Sequence, residues 1–145
     1  MAISGIGENM EDRYLCKAKR TDNGEWVIGY VVKYGYTRKE KYYIVPDYAS
    51  DLYAVEVDPS TICWCTGSKD KNGNLIWEND IIECKDGKHN FQTQIEWDAY
   101  CAGFIFQDTE VSAVELDAIT ANGLYSESKV IGNIFDNPEL IESEE

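Results

Sequence analysis

Short apolar stretches alternate with polar turn sequences along most of the chain. The first example surrounds Asp22-Asn23-Gly24, which separates a stretch beginning at Tyr14 from a second one at Trp26 to Tyr34. An Asn-Gly pair favours a tight turn because both residues accept the positive φ angles that hairpin turns require. The pattern therefore predicts a β-hairpin whose returning strand is Trp26 to Tyr34.

Turn residues recur about every ten residues in the rest of the chain, a spacing typical of many short strands. Asn72-Gly73 is the clearest of these turns, Glu78 to Asp80 is another, and Lys85 to Asn90 is interpreted as a third. The stretches between turns predict further strands at Lys41 to Pro46, Asp51 to Val57, Thr61 to Thr66, Leu75 to Trp77, Ile81 to Cys84, Phe91 to Trp97 and Ala102 to Gln107.

Only short helices are predicted. Ser112 to Ala121 fits one or two helical turns, although its Val, Ile and Thr residues make a strand nearly as good an interpretation. Asn137 followed by Pro138 predicts a final helical turn, because Asn is a favoured N-cap and Pro suits the first helical position. The pattern therefore predicts a mainly β fold, a β-dominated α+β protein built as a small barrel or sandwich with additional hairpins and one or two short helices.

Apolar residues at alternate positions beside the turns predict the side chains that contribute most to the core. We expect these to be Ile76, Ile81, Ile82, Ile95, Trp97, Phe104, Phe106, Ile131 and Ile134.

The composition agrees with an ordered protein rich in sheet. Hydrophobic residues make up 43% of the chain and aromatic residues 12%, which favours an ordered fold over a solvated polyelectrolyte. A chain of 145 residues is enough for one domain, or for two small sub-domains that share one core. No stretch approaches the roughly 18 consecutive apolar residues of a membrane span, and the N-terminus has no signal-peptide pattern. We therefore expect a cytoplasmic protein.

The five cysteines, Cys16, Cys63, Cys65, Cys84 and Cys101, are odd in number and irregularly spaced. This favours reduced thiols that serve as small core residues over a disulfide framework. A zinc site needs about four ligands, usually in closely spaced pairs, and no second pair accompanies Cys63 and Cys65. In a strand these two residues would share one face, with Trp64 on the other. We therefore expect no bound zinc.

The acidic cluster of Asp70, Glu78, Asp80 and Glu83 offers carboxylates for a divalent cation, but its order differs from that of a calcium-binding loop. Turns recruit Asp because its side chain bonds nearby backbone amides, so we favour a structural role. His89 lies in a polar segment without a nucleophile to activate, and we expect it to be solvated. No phosphate-binding loop or dinucleotide fingerprint is present, so we expect no catalytic residue and no cofactor.

The net charge of −14 is unevenly distributed. Arg13 to Lys41 contains eight basic and three acidic residues, whereas Tyr42 to Glu145 contains five basic and twenty-one acidic residues. Cations follow a phosphate backbone and aromatic rings stack on bases, so this basic, aromatic segment is the best candidate for a nucleic-acid or subunit contact. The candidate residues are Lys17, Lys19, Arg20, Trp26, Lys33, Arg38, Lys39 and Lys41. The acidic remainder favours a solvated face or an acidic neighbouring subunit over nucleic acid.

Three segments resemble the YopX family of phage and prophage proteins. They are TGSKDKNG (66–73), IWENDII (76–82) and VIGNIFDNPEL (130–140), and the family pattern usually has Gly where this chain has Asn79. The resemblance implies a β-rich protein with an SH3-type barrel element, expressed from a phage or prophage in a Gram-positive bacterium, with no established biochemical activity. The resemblance runs from about Arg13 to Leu140, so we expect a single domain at 13–141, preceded by a flexible leader at 1–12 and followed by an acidic tail at 142–145. Two β-rich sub-domains, 13–62 and 63–141, are an alternative.

Three functions stay open at this stage. The first is a phage accessory protein that acts through protein contact or self-assembly. The second is single-strand nucleic-acid binding through segment 13–43, with weak or absent duplex binding, and the third is an acidic inhibitor that imitates nucleic acid. An enzyme is the least favoured class. Opposite charge at the two ends predicts a head-to-tail homo-oligomer whose contact weakens with added salt.

Overall fold

The computed structural model describes residues 12–35, 40–47, 53–86, 89–99, 102–106 and 128–141. Within these ranges the strands are β1 (Cys16–Lys19), β2 (Trp26–Tyr34), β3 (Lys41–Pro46), β4 (Val55–Val57), β5 (Cys63–Lys69), β6 (Leu75–Trp77), β7 (Asp80–Asp86), β8 (His89–Asp98), β9 (Gly103–Phe106) and β10 (Ser128–Asn133). The 3₁₀ helices Pro59–Thr61 and Pro138–Leu140 accompany them. The prediction of a mainly β fold is confirmed. No helix in the described part of the chain is long and apolar enough to cross a membrane.

The chain divides into two compact units, Met1–Cys65 and Thr66–Glu145. In the first unit the strands are ordered β4-β3-β2-β1, and the first residues of β5 pair with β1. Each of these pairs is antiparallel. In the second unit the end of β5 lies beside β6, and a separate sheet has the order β10-β7-β8-β9.

Backbone hydrogen bonds also connect β4 to the end of β1. The Asp58 N–H donates to the Lys19 carbonyl at 2.9 Å, and the Thr21 N–H donates to the Glu56 carbonyl at 3.1 Å. The Asp58 carboxylate then accepts a hydrogen bond from the Ser60 N–H at 3.0 Å and so begins the 3₁₀ helix that precedes β5. The described strands do not form a closed barrel, and the SH3-type barrel stays a prediction.

Each unit has its own cluster of buried apolar side chains, and both follow from the alternation of residues along the strands. The first cluster contains Cys16, Ala18, Val27, Ile44 and Val57, with Val31, Tyr42 and Ile62 packed against it. The second contains Ile76, Ile82, Cys84 and Ile95, with Phe104, Ile105 and Val130 packed against it.

The predicted core residues are only partly correct. Ile76, Ile81, Ile82 and Ile95 are fully buried, whereas Phe104, Ile131 and Ile134 are half-buried. The prediction for Trp97 is wrong, since its side chain is 50% exposed. Trp97 lies near the end of β8, where Phe104 of β9 is its cross-strand neighbour and the buried cluster around Ile95 has ended. The Phe106 side chain lies outside the described residues.

The predicted bounds of β2, β3 and β6 are confirmed. The polar turn predicted at Lys85 to Asn90 is wrong in extent, because β7 continues to Asp86 and β8 begins at His89. Thr61 belongs to the 3₁₀ helix, so β5 begins two residues later than predicted, at Cys63. The described part of the strand predicted at Asp51 to Val57 is the three-residue β4. The prediction for Ser112 to Ala121 lies outside the described residues.

The final helical turn is a 3₁₀ helix with the predicted Pro138 at its start, and Asn137 occupies the predicted N-cap position, although its side chain makes no hydrogen bond to the helix. The Asn137 Oδ1 instead accepts a hydrogen bond from the Asn133 N–H at 3.3 Å. The side chain is therefore engaged with the end of β10 rather than with the helix that follows it.

Gly29 allows β2 and β3 to approach closely. It pairs with Pro46, and a Cβ atom at Gly29 would lie 2.7 Å from the Val45 carbonyl carbon and 2.8 Å from the Pro46 Cα. Pro46 has no N–H, and the next backbone hydrogen bond runs from the Asp47 N–H to the Ile28 carbonyl at 3.1 Å. Since the obstructing atoms belong to the backbone, a side chain at position 29 requires one strand to move.

We expect Gly29→Ala to lower the free energy of unfolding by about 2 kcal/mol, because overpacking against backbone costs about 1–3 kcal/mol. Denaturant unfolding followed by Trp fluorescence measures the change. The control is Val32→Thr on the exposed face of the same strand, which should stay within about 0.5 kcal/mol of the wild type. Equal stability of Gly29→Ala and the wild type would contradict the close approach.

Candidate interaction surface

The outer face of β2 carries a row of exposed apolar side chains. Alternation along the strand buries Val27 and Gly29 and turns the residues between them outward. The outward side chains, here called the outer strip, are Ile28, Tyr30, Val32 and Tyr34, with exposed fractions of 38%, 46%, 46% and 68%. β2 is therefore apolar on both faces, although only its inner face packs into the first core cluster.

Strand register places further side chains on the same face. On β1, Lys17 lies opposite Ile28 and Lys19 lies opposite Trp26. On β3, the residues opposite Tyr30, Val32 and Tyr34 are Val45, Tyr43 and Lys41. The outer strip is thus flanked by two half-buried apolar side chains and by lysines near both of its ends.

Lys17 and Lys19 both contact the ring of Trp26. Their Nζ atoms lie 4.7 Å and 5.3 Å from a centroid of that ring, within the range of cation–π attraction. The two ammonium groups are held at one end of the outer strip by this ring. The structure therefore brings together three of the residues predicted as a contact site.

The other described cations of the predicted site pair with nearby acids. The Arg20 guanidinium makes two bonds to the Asp22 carboxylate, of 2.9 Å and 2.8 Å, and this contact lowers the pKa of Asp22 below its usual range. Lys33 lies 3.0 Å from Glu40, whose carboxylate raises the pKa of the lysine.

Lys41 completes this set, with its Nζ 3.4 Å from the Glu56 carboxylate across the β3–β4 pair. Arg38 and Lys39 lie outside the described residues. Neighbouring carboxylates therefore offset the positive charge of Arg20, Lys33 and Lys41.

The sequence analysis identifies the lysines and the aromatic character of this segment but not Ile28 or Val32. The available signal was the nearly continuous apolar run WVIGYVV at the start of β2. Such runs are typical of strands that are covered on both faces.

Two carboxylates of the acidic cluster, Asp70 and Asp80, have the structural role that the sequence predicts. Asp70 is buried, and its side-chain oxygens accept backbone hydrogen bonds from Asn72 and Asn74 at 2.9 Å and from Val130 at 3.0 Å. Burial alone raises the pKa of Asp70, but the bonds from Val130, Asn74 and Asn72 outweigh it and hold the pKa below its usual value. Asp80 is buried and accepts from the Trp77 N–H at 2.8 Å.

The described cysteines, Cys16, Cys63, Cys65 and Cys84, are buried, which confirms their interpretation as core residues. Burial raises the pKa of the Cys84 thiol to about 12, and the neighbouring Glu83 charge adds to this shift. Within the described ranges, no three His, Cys, Asp or Glu side chains are grouped so as to hold a metal ion. Cys101 and the side chain of His89 lie outside the described residues.

These features define a mainly β protein that carries an exposed apolar strip on one sheet. A family model described as YopX protein matches residues 8–142, and the chain belongs to this family. The chain is also similar to a solved structure, the crystal structure of protein EF1440 from Enterococcus faecalis. The two share 26% identity over 88% of this chain and 96% of that chain, with a TM-score of 0.54. No curated protein matches the chain.

Replacing the buried Asp70 carboxylate should destabilise the protein. We expect Asp70→Asn to lower the free energy of unfolding by about 2 kcal/mol at pH 7, because an amide nitrogen would face a backbone N–H that the carboxylate now satisfies. The folded-state pKa of Asp70 is lowered from 3.8, so its contribution is present above that pH and is lost as the pH falls through the folded-state pKa.

Urea unfolding between pH 3 and pH 7 tests this. The control is Asp47→Asn, which removes an exposed carboxylate and should change stability by less than about 0.5 kcal/mol. If the difference in free energy of unfolding between the wild type and Asp70→Asn stays constant down to pH 3, the pKa of Asp70 is not lowered in the folded protein.

The buried thiols should resist alkylation in the native protein. Only the thiolate reacts, and a pKa of about 12 leaves Cys84 almost entirely protonated at pH 8. Mass spectrometry after iodoacetamide treatment should find Cys16, Cys63, Cys65 and Cys84 unmodified without denaturant and modified with it. Lys69→Cys provides an exposed thiol as a positive control. Native labelling of Cys84 as fast as that control would show that the thiol is accessible.

Proposed function

We propose that this YopX-family chain is a phage or prophage accessory protein that acts through protein contact, and that the outer strip of β2 is its docking surface. The observation that carries the proposal is the exposure of four large apolar side chains in one row, on a strand whose other face is already packed. Soluble monomers rarely leave such contiguous apolar rows in water unless they serve an interaction.

The dimensions of the strip support a contact with a protein surface. β2 has nine residues, so it extends about 26 Å at about 3.3 Å per residue. Together with its neighbours β1 and β3 it presents a width of about 14 Å, since adjacent strands lie about 4.8 Å apart. A specific interface buries about 800 Å² per partner, so the strip would form the apolar centre of a larger contact with a polar rim.

The chemistry of the described residues supports a binding role over a catalytic one. Asp22 and Lys33 owe their pKa shifts to surface ion pairs, Asp70 to backbone hydrogen bonds in a turn, and Cys84 to burial in a core. Catalytic groups are usually found where shifted pKa values converge on one cleft. Here each pKa shift has a separate structural cause. We therefore propose no catalytic residue and no cofactor.

The connectivity of the first unit supports an SH3-type barrel element as the scaffold of the strip. Strands β1 to β4 are joined in sequence, the 3₁₀ helix Pro59–Thr61 follows, and β5 returns to pair with β1. The isolated bridge between Arg20 and Val57 brings β4 back toward β1. We propose that strands β1 to β5 form a curled sheet of that type. The first core cluster would lie on its inner face and the outer strip on its outer face.

We expect Tyr30→Thr combined with Val32→Thr, here called the strip variant, to lose the proteins that the wild type binds. Threonine removes apolar surface and keeps a β-branched side chain in the strand. Tagged wild type, strip variant and the control Tyr14→Thr, which alters another exposed tyrosine, are produced in bacterial cells and cross-linked. Bound proteins, including untagged copies of the chain, are then identified by mass spectrometry with and without nuclease.

Recovery of the same proteins by all three forms would rule out the outer strip as the docking surface. Loss of the recovered proteins on nuclease treatment would favour the nucleic-acid alternative that Lys17, Lys19 and Trp26 suggest.

A further inference from the structure

We propose that the partner of the outer strip is a second copy of this chain, which packs its own outer strip against the first in antiparallel orientation. This rests on the proposed function and adds the identity of the partner. Both copies use the same surface, and a two-fold axis passes midway between Tyr30 and Val32 along the strand. The contact differs from the head-to-tail one that the uneven charge of the sequence suggests, because the cations Arg20, Lys33 and Lys41 are paired with acids of their own copy.

Large and small apolar side chains alternate on the outer face in two directions. Along the outer strip, an aliphatic residue is followed by a tyrosine twice. Across to β3, Val45 lies opposite Tyr30, and Tyr43 lies opposite Val32. Each of these tyrosines therefore has an aliphatic neighbour on the adjacent strand as well. The result is a chequered pattern of protruding rings and shorter side chains.

A second copy turned about the two-fold axis fits this pattern. The axis reverses β2, so Tyr30 of one copy faces Val32 of the other. The same rotation brings Tyr43 of one copy against Val45 of the other, because these residues share the positions of Val32 and Tyr30 along the strands. Protruding rings then meet shorter side chains, as in the interdigitated core between two packed sheets. A parallel orientation would instead place the Tyr30 rings of the two copies against each other.

The two ends of the outer strip match in the same way. Tyr34 of one copy faces Ile28 of the other, and the residues beside them on β3 have opposite charge. Lys41 lies opposite Tyr34, and the Asp47 N–H donates to the Ile28 carbonyl at 3.1 Å. Asp47 is exposed and lines one surface cavity together with Ile28 and Trp26. The axis therefore brings Lys41 and Asp47 of different copies to the same position twice, once at each end.

The antiparallel orientation also keeps like charges apart. Lys17 lies opposite Ile28, so the axis places Lys17 of the second copy six residues further along the strip, about 20 Å away at about 3.3 Å per residue. The two copies of Lys41 are separated by the same distance along the strands. Charges this far apart are screened at physiological ionic strength, where the Debye length is about 8 Å. Glu56 lies nearer to the axis and stays paired with Lys41 of its own copy.

The area of the outer face suits a reversible dimer. The face formed by β1 to β3 measures about 26 Å by about 14 Å, or about 360 Å² in each copy. Protruding side chains make the accessible area larger than this planar value. Two such faces with their polar margins lie near the lower end of the range for specific interfaces, which is about 1,200 Å² in total. Interfaces of this size are usually transient, so we expect a dissociation constant on the order of 10 μM.

Two charged variants of the full chain, Val32→Asp and Tyr30→Lys, test both the partner and the orientation. A dimer of either variant alone would bury two unpaired charges, one from each copy, so each variant should be monomeric. In an equimolar mixture, the carboxylate introduced at position 32 of one copy faces the ammonium introduced at position 30 of the other. The native Tyr30 and Val32 of the two copies still meet on the other side of the axis. The mixture should therefore dimerise.

Sedimentation velocity from about 1 μM to about 300 μM, at about 0.15 M salt, gives the mass of the wild type, of each variant and of the mixture. Circular dichroism and thermal unfolding establish that each variant is folded. We expect each variant alone to dimerise at least about tenfold more weakly than the wild type, and the mixture to recover most of this loss. The matched control replaces Tyr30→Lys by Tyr30→Glu, which places like charges face to face in the mixture and should recover nothing.

Other results overturn the inference in distinguishable ways. A wild type that is monomeric at about 300 μM excludes a second copy as partner and leaves the protein-contact proposal to the cross-linking experiment. If both variants assemble like the wild type, a different surface makes the contact. If Val32→Asp dimerises more tightly with Val32→Lys than with Tyr30→Lys, the two strips are parallel and the antiparallel arrangement is wrong.

Discussion

The buried carboxylate of Asp70 is the interaction on which the second unit depends most. Its bonds to Asn72 and Asn74 fix the turn between β5 and β6, and its bond to Val130 spans sixty residues to reach β10. The Lys71 N–H, which donates to the Ser128 carbonyl at 2.9 Å, reinforces this junction. Two of the segments that identify the YopX family therefore meet at one hydrogen-bonded site. Their sequence meets a structural requirement, because it supplies the carboxylate and the backbone groups of this junction.

Much of the strand pattern could be predicted because it depends on local chemistry. Turn residues such as Asn72 and Gly73 and the alternation in β2 and β3 act over a few residues, and these strands have the predicted bounds. The exposure of Trp97 could not be predicted in this way. Alternation assigns a residue to a face of the sheet, but whether that face is covered at the end of β8 depends on how far the packed cluster extends in three dimensions.

The candidate surface was predictable to a similar degree. Composition along the first forty residues indicated the lysines and aromatic rings, and the contact of Lys17 and Lys19 with Trp26 follows from the β1–β2 register. The partners of Lys33 and Lys41 were not predictable, because Glu40 and Glu56 become neighbours only through tertiary placement and the pairing of β3 with β4. The apolar character of the strip likewise became visible only when one face of β2 was found packed and the other exposed.

Asn79 shows how a side-chain hydrogen bond can offset the cost of an unfavourable backbone conformation. Its φ angle of 70° is one that non-glycine residues adopt at a cost of about 1 kcal/mol, and a glycine would avoid that cost. Asn79 compensates through its side-chain oxygen, which accepts a hydrogen bond from the Gln94 amide at 3.1 Å and is worth about 1 kcal/mol. The two contributions nearly cancel. A glycine at position 79 would remove both contributions at once, so its effect on stability depends on what then accepts a hydrogen bond from the Gln94 amide.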